Sequence, residues 1–356
     1  MSTVPIAPAV FLAVVLSACA GIPHRLEPGA AATVRRTTAR TVIPEPRITM
    51  TWVRSGYADG SLLGAIVAGS ANKSRRTAAE TLVMPLQAQT GDINFQAWFG
   101  DVLSQTLTQV SWLKCEGVEH VSSRLPPVTE SDVRDRSLIQ VGTDYNLSPD
   151  GTVLIVSSGI GFFAQGQPER PAAAVIVQYR SDEIGAVEDE RAIEAWARNG
   201  AAAYRVALQE AVAENAKLTR MALDYVAGTD FAGAEVRLTV HLSHARGDFG
   251  IKEGSSTMTG TIVEETDRRI VLHTEASFLS LPKSAIDARV VTGRAQGVTW
   301  TSLPATPPPK PAAPSAVVPP SVPVPQPVPA TPNLSMDERH HRLLARGDAS
   351  VDRIGR

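Results

Sequence analysis

The chain has 356 residues, with 34 Lys and Arg against 36 Asp and Glu for a formal charge of −2, and 43% of its residues are apolar. So even a balance supplies no polycationic surface and argues against a nucleic-acid partner, while the apolar content is enough for a sizeable core. No stretch approaches the roughly 20 apolar residues that a membrane-spanning helix needs, which excludes a multi-span transporter or helical channel.

The first element in chain order is a leader. Ala9 to Leu16 (AVFLAVVL) is an unbroken apolar run that ends on the small residues Ser17 and Ala18. A signal-peptide core needs only about 7–15 apolar residues before its cleavage site, so the run has the length of a targeting segment and not of a span. No Lys or Arg precedes Cys19, and the only positive charge ahead of the run is the amino terminus. The tetrad Leu16-Ser17-Ala18-Cys19 resembles the lipobox of bacterial lipoproteins. That resemblance implies a signal peptide over 1–18, cleavage before Cys19, and diacylglycerol with acyl chains such as palmitate on the Cys19 thiol. Ala20 stands where an Asp would favour inner-membrane retention, so the resemblance implies an outer-membrane anchor facing the periplasm.

Residues 19–47 follow as an expected lipidated tether, because Ala20 to Arg47 shows no apolar period and holds Pro23, Pro28, Pro44 and Pro46. An α/β domain is expected over 48–230. Its elements in order are a strand at Ile48 to Val53, a helix from Ser61, and a second helix capped by Asp92. The apolar face of that second helix is Phe95, Phe99, Val102, Leu103, Leu107 and Val110. A strand over Trp112 to Val121 comes next, then a hairpin of Leu138 to Leu147 and Thr152 to Phe163 turning at Ser148-Pro149-Asp150-Gly151. A third strand, Ala172 to Tyr179, completes a meander, and a long helix runs from Val187 to Val226 with Gly200 as a point of kinking. In this order the body loosely resembles periplasmic lipoprotein domains of the curli-secretion and Tol amino-terminal type, which implies action through protein contacts.

Past Glu235 the pattern changes to short strands, and residues 231–300 are expected to form a second unit. Gly260 to Ile286 (GTIVEETDRRIVLHTEASFLSLPKSAI) resembles the strand-turn-strand core of SH3-like or Sm-like small β-barrels, with a glycine opening a bent strand. Pro304 to Pro332 carries thirteen prolines in twenty-nine residues, a composition that favours polyproline II over a packed core. Residues 301–333 are accordingly a Pro-rich linker and 334–356 a charged tail, whose Arg339, Arg342, Arg346, Arg353 and Arg356 suit an anionic wall polymer or an acidic partner. The fold class expected is α+β: helices on a mostly antiparallel sheet, then a small β-barrel and a disordered Pro-rich tail.

The sequence offers little catalytic chemistry. Gly64 to Ser70 lacks the lysine that a phosphate loop needs, and Ser157-Ser158-Gly159-Ile160-Gly161 is not the elbow that presents a hydrolase nucleophile. His241 and His244 lie on opposite faces of a strand, and the pairs Glu264-Glu265 and Asp189-Glu190 read as solvated surface. Cys115 reads as a small buried hydrophobe, and a reactive role would require His120 beside it in an open pocket. No catalytic, metal or cofactor residue is therefore assigned, and Cys19 is the single modification site. The reading is a binding or assembly component of the bacterial envelope, anchored through Cys19, with envelope proteins or peptidoglycan as partners. An enzyme acting on cell-wall or lipid substrates is the alternative.

Overall fold

A computed structural model describes residues 22–51, 62–121, 124–184, 189–242 and 254–292. The expectations for the leader, Cys19, His244, the Pro-rich segment and the charged tail lie outside these residues. In chain order the elements are α1 (Ala30–Thr33), β1 (Thr37–Val42), β2 (Thr49–Met50), α2 (Leu62–Gln89), α3 (Phe95–Gln109), β3 (Cys115–Val121) and α4 (Glu130–Val133). There follow β4 (Ser137–Leu147), β5 (Leu154–Phe163), β6 (Ala173–Arg180), α5 (Asp189–Val226), β7 (Ala234–Leu242), β8 (Gly254–Glu265), β9 (Arg269–His273), β10 (Ser277–Pro282) and β11 (Ile286–Val291).

All the strands join one mixed sheet in the order β11-β7-β8-β9-β10-β6-β5-β4-β1-β3, with β2 also beside β4. The expected hairpin and meander are its centre. β4, β5 and β6 pair antiparallel in unbroken register, and the turn closes where Gly151 N donates to the Ser148 carbonyl and Ser148 N to the Val153 carbonyl. Alternation along β4 sends Ile139, Val141, Tyr145 and Leu147 into the main core. Helices cover that face. Phe95 of α3 lies on the Tyr145 ring with centroids 3.8 Å apart, and α5 contributes Trp196, Tyr204, Leu208 and Leu218.

Three expectations are corrected by these elements. Residues 20–47 are not a tether throughout: β1 lies inside the sheet, parallel to both β3 and β4, and its inward side chains Thr37, Ala39 and Thr41 are buried. Small and polar residues supply that inward face, and a β-strand built of them shows no apolar period. The cap of α3 is Asn94, whose Oδ1 accepts from Ala97 N at 3.0 Å. Asp92 instead holds Arg205 of α5 through both carboxylate oxygens. The parallel pairs β1–β3, β1–β4, β2–β4 and β6–β10 make the sheet mixed, so the expected antiparallel pairing holds only in part, for the other six pairs.

The long helix breaks where Gly200 placed the kink. Arg198 leaves helical geometry, and Asn199, Gly200 and Ala201 take positive φ of 53°, 67° and 61°. Beyond the break, Asn215 is fully buried in the helix face and binds the sheet below. It accepts from Ser158 Oγ at 3.0 Å and donates to the Val156 carbonyl at 3.3 Å, while Ser158 also bonds Thr143 at 2.8 Å.

The last strands carry a core of their own, formed by Val236, Leu238, Val240, Met258, Ile262, Ile270, Leu272, Leu279 and Leu281. β8 has a register shift between Ile262 and Glu264, and a Cβ on Gly260 would overlap the His273 carbonyl oxygen of β9. A glycine is required there because the two backbones approach too closely for any side chain. The opposite side of the same strands meets α5: Val271 and Phe278 belong to the main core. One strand pair thus serves two cores.

Candidate functional site

A cleft of about 480 Å³ opens at the β3 edge of the sheet. Its wall is built by Thr38, Arg40, Glu119, Ser131, Asp132 and Arg136. Arg40 is its centre. Nε donates to Glu119 at 3.0 Å and Nη2 to Asp132 at 3.0 Å. Asp132 is itself fixed by the turn that starts α4, since its carboxylate accepts from both the backbone N and the hydroxyl of Thr129. Burial raises the Asp132 carboxyl, but the bonds from Thr129 and Arg40 outweigh it and hold the group below its ordinary range. The two ion pairs hold the Arg40 guanidinium in place while its Nη1 is buried without a partner, so the arrangement suits recognition of a polar group more than proton transfer.

On the other face of β1, His120 bridges Thr41 and Ser104. Its Nδ1 lies 2.7 Å from Thr41 Oγ1 and its Nε2 lies 3.2 Å from Ser104 Oγ. Ser104 donates its own proton to the Gly100 carbonyl at 2.9 Å, so Ser104 accepts from Nε2–H and Thr41 donates to Nδ1. A histidine bonded in that sense does not serve as base toward Ser104. The contact instead fastens the edge strand to α3, where a Cβ on Gly100 would lie 3.0 Å from the imidazole.

Cys115 and His120 do not form a pair. Cys115 stands opposite Thr37 and His120 opposite Thr41, four positions along β1 and hence about 13 Å apart. Burial pushes the Cys115 thiol above its ordinary range, and Sγ donates weakly to the Gly117 carbonyl at 3.5 Å. Of the other sequence candidates, Ser158 is a buried structural hydroxyl, Gly64 to Ser70 lie within α2, and the carboxylates of 264 and 265 are ion-paired. Glu264 meets Lys217, and Glu265 meets Lys283 and Arg289. Among the described residues no group of three or more His, Cys, Asp or Glu is placed to hold a metal. Nor is any helix there long and apolar enough to cross a membrane.

Two features carried no local sequence signal. Arg40 reaches Glu119 and Asp132 across separations of 79 and 92 residues, so only the fold reveals their meeting. Asp144, on β4, is the second: burial first and then the nearby Glu45 charge raise its carboxyl to about 6.

Neither a protein-family model nor a curated protein matches the chain. A solved structure titled only as that of an uncharacterized protein aligns at 14% identity over 53% of this chain and 94% of that one, with a TM-score of 0.13. A likeness that slight transfers neither fold nor function.

Proposed function

We propose that the protein is a lipid-anchored binding or assembly component of the bacterial envelope, cut before Cys19 and held on the outer membrane facing the periplasm. The observation that carries this reading is the apolar run Ala9 to Leu16 delivering Ser17-Ala18-Cys19. Recognition belongs to the Arg40 cleft, whose fixed guanidinium and hydroxyl wall suit a polar group of an envelope protein or of peptidoglycan. The last five strands are a small barrel of the SH3-like or Sm-like kind. Support comes from the order β11-β7-β8-β9-β10, the 3₁₀ turn Lys283–Ala285 ahead of the last strand, the separate core and the glycine-dependent bend at Gly260. Residues 301–333 are a Pro-rich linker, and 334–356 a charged tail directed at an anionic polymer or an acidic partner.

The test is mass spectrometry of the mature protein together with Cys19→Ala. An acylated Cys19 at the amino terminus, and a variant that stays unprocessed or leaves the membrane fraction, are expected; an unmodified Cys19 in the membrane-bound mature protein refutes the proposal. An enzyme acting on wall or lipid substrates has one observation in its favour, the elevated carboxyl of Asp144 beside Glu45. That reading requires turnover of peptidoglycan or phospholipid that Asp144→Asn abolishes.

A further inference from the structure

The chain enters the folded body almost at once after Cys19. Pro23 accepts from Ala174 N at 2.9 Å, and His24 Nδ1 lies 3.0 Å from the Ala174 carbonyl oxygen, so the two residues run beside the start of β6. Leu26 N then donates to the Val226 carbonyl at 2.9 Å, at the end of α5. Between them, Arg25 lies 4.0 Å over the Tyr225 ring and pairs with Asp230 at 2.7 Å. These bonds fix the segment at three successive points. Only three residues lie between Cys19 and Pro23, and the four steps from one to the other span at most about 14 Å when fully extended.

We propose that the end of the body carrying Pro23 rests directly on the bilayer, so that the anchored protein has one membrane-facing surface. This inference relies on the lipidation of Cys19. Three loops share that end. The β5–β6 connection, residues 164–172, leads into Ala174. The α5–β7 connection, residues 227–233, follows Val226. The β9–β10 turn is held by Ile176 N donating to the Ala276 carbonyl at 3.0 Å. Their charges are mixed, with Arg170 beside Glu169 and with Glu275 and Asp230 nearby. These three loops hold no basic cluster for anionic lipid, so the covalent anchor, and not charge on the loops, holds them against the membrane. The opposite end is distant. Arg205 of α5 binds Asp92 and the Gln89 carbonyl at the α2–α3 connection, and the twenty-one residue steps from Arg205 to Val226 are about 31 Å of helix. The Arg40 cleft lies on β1, separated from β6 by β5 and β4, and it borders the proposed surface, because Gly166 N of the β5–β6 connection donates to the Val133 carbonyl of α4 at 2.7 Å.

The experiment uses the full lipidated chain in phosphatidylethanolamine–phosphatidylglycerol vesicles, with Cys115→Ser removing the native thiol. A fluorophore is placed singly through Gln167→Cys, Glu275→Cys or Gly91→Cys, all exposed positions, and quenched by nitroxides carried on lipid headgroups. Quenching several-fold stronger at 167 and 275 than at 91, unchanged by high salt, is expected. A twelve-residue Gly/Ser insertion between Ala20 and Gly21 should bring all three positions to the level of 91. Equal quenching at the three positions in protein whose Cys19 is shown acylated overturns the surface assignment alone. Asymmetry that survives the insertion shows that something other than the short connection seats the surface, and overturns the argument made from it. An unacylated Cys19 overturns the anchoring itself, and the same mass spectrum tells the two failures apart.

Discussion

Asp144 and His273 place opposite pH slopes on the stability of the same sheet. Burial and the Glu45 charge raise the Asp144 carboxyl to about 6, so ionising it is harder in the folded chain than in the unfolded one. Its stabilising effect is complete below about pH 4 and is lost as pH rises through about 6. At 1.36 kcal/mol per unit, the penalty at neutral pH is on the order of 2–3 kcal/mol. Asp144→Asn is therefore expected to raise the urea midpoint at pH 7 and to match the parent at pH 4; a variant no more stable than the parent at pH 7 contradicts this. His273 behaves in the other sense. Burial first, then the Arg25 and His24 charges, lower its imidazole to about 4. The ring sits among Tyr225, Phe231 and Phe278, and its Nε2 is buried without a partner. Its contribution is complete above about pH 6.5 and is lost as pH falls through about 4. His273→Phe keeps an aromatic in the cluster and is expected to flatten the acid limb of stability between those values. Denaturation series from pH 4 to 8 on both variants separate the two slopes, and an unchanged acid limb in His273→Phe would show that another group sets it.

At the scale of elements, the joint between the two cores rests on Arg269. Its guanidinium donates to Ser280 Oγ and to the Ser280 and Arg180 carbonyls. It also pairs with Glu210 of α5 at 3.2 Å and lies 4.3 Å from the centroid of the Tyr179 ring. Ser280 in turn donates to Glu214 at 2.8 Å. Removing one partner of so buried a set leaves carbonyls and carboxylates without donors, which costs about 3–5 kcal/mol. Arg269→Met is expected to lose about that much in chemical denaturation, whereas Arg268→Met, at an exposed position paired with Asp182, is expected to lose less than about 1 kcal/mol. Equal losses would show that the buried fork is not what joins the cores. Elements like these differ in how plainly the sequence announces them. The buried stripe of α3 recurs at three- and four-residue spacing, and the turn at Pro149 and Gly151 follows from local backbone preferences, so both are visible in a few consecutive residues. β1 is not, because threonine and alanine fill its inward positions. β11 is hidden for a related reason: its residues from Asp287 onward are exposed, and only pairing with β7 defines it. The α3 cap was ambiguous because Asp92 and Asn94 are both capping residue types, and the Arg205 contact that claims Asp92 comes from 113 residues away. The cleft at Arg40 was illegible on the same grounds, since its three charges meet only through the parallel pairing of β1 with β3 and β4.

Across the whole molecule, the sheet continues through the place where composition divides the chain. β10 pairs in parallel with β6 from Ser277↔Ile176 to Ser280↔Tyr179, and all described residues belong to one compact unit. Phe278 and Val271 face α5 while Leu279 and Leu272 face the second core, so neither core can open without uncovering apolar side chains of the other. An unfolded β7–β11 segment would also leave β6 with an unpaired backbone edge and take Val271 and Phe278 out of the main core, a situation that favours aggregation. Residues 22–292 are accordingly expected to unfold in one transition, even though the second core on its own contains enough apolar side chains to look independent. Tryptophan fluorescence alone cannot decide this, because the chain's five tryptophans all lie outside β7–β11 and the buried Trp196 reports on the turn at Gly151, to whose carbonyl it donates at 2.8 Å. Native-state hydrogen exchange resolves the question by comparing peptides from β8–β9 with peptides from β4–β5 across low urea. Where two cores share one cooperative unit, their slowest amides report the same opening free energy and the same dependence on denaturant. Peptides of β8–β9 that open at clearly lower free energy and with a smaller urea dependence, while β4–β5 stays protected, would establish a separate folding unit and overturn the expectation of coupling. Arg269→Met provides the internal control. If the coupling runs through the joint, that variant should split the two sets of peptides apart.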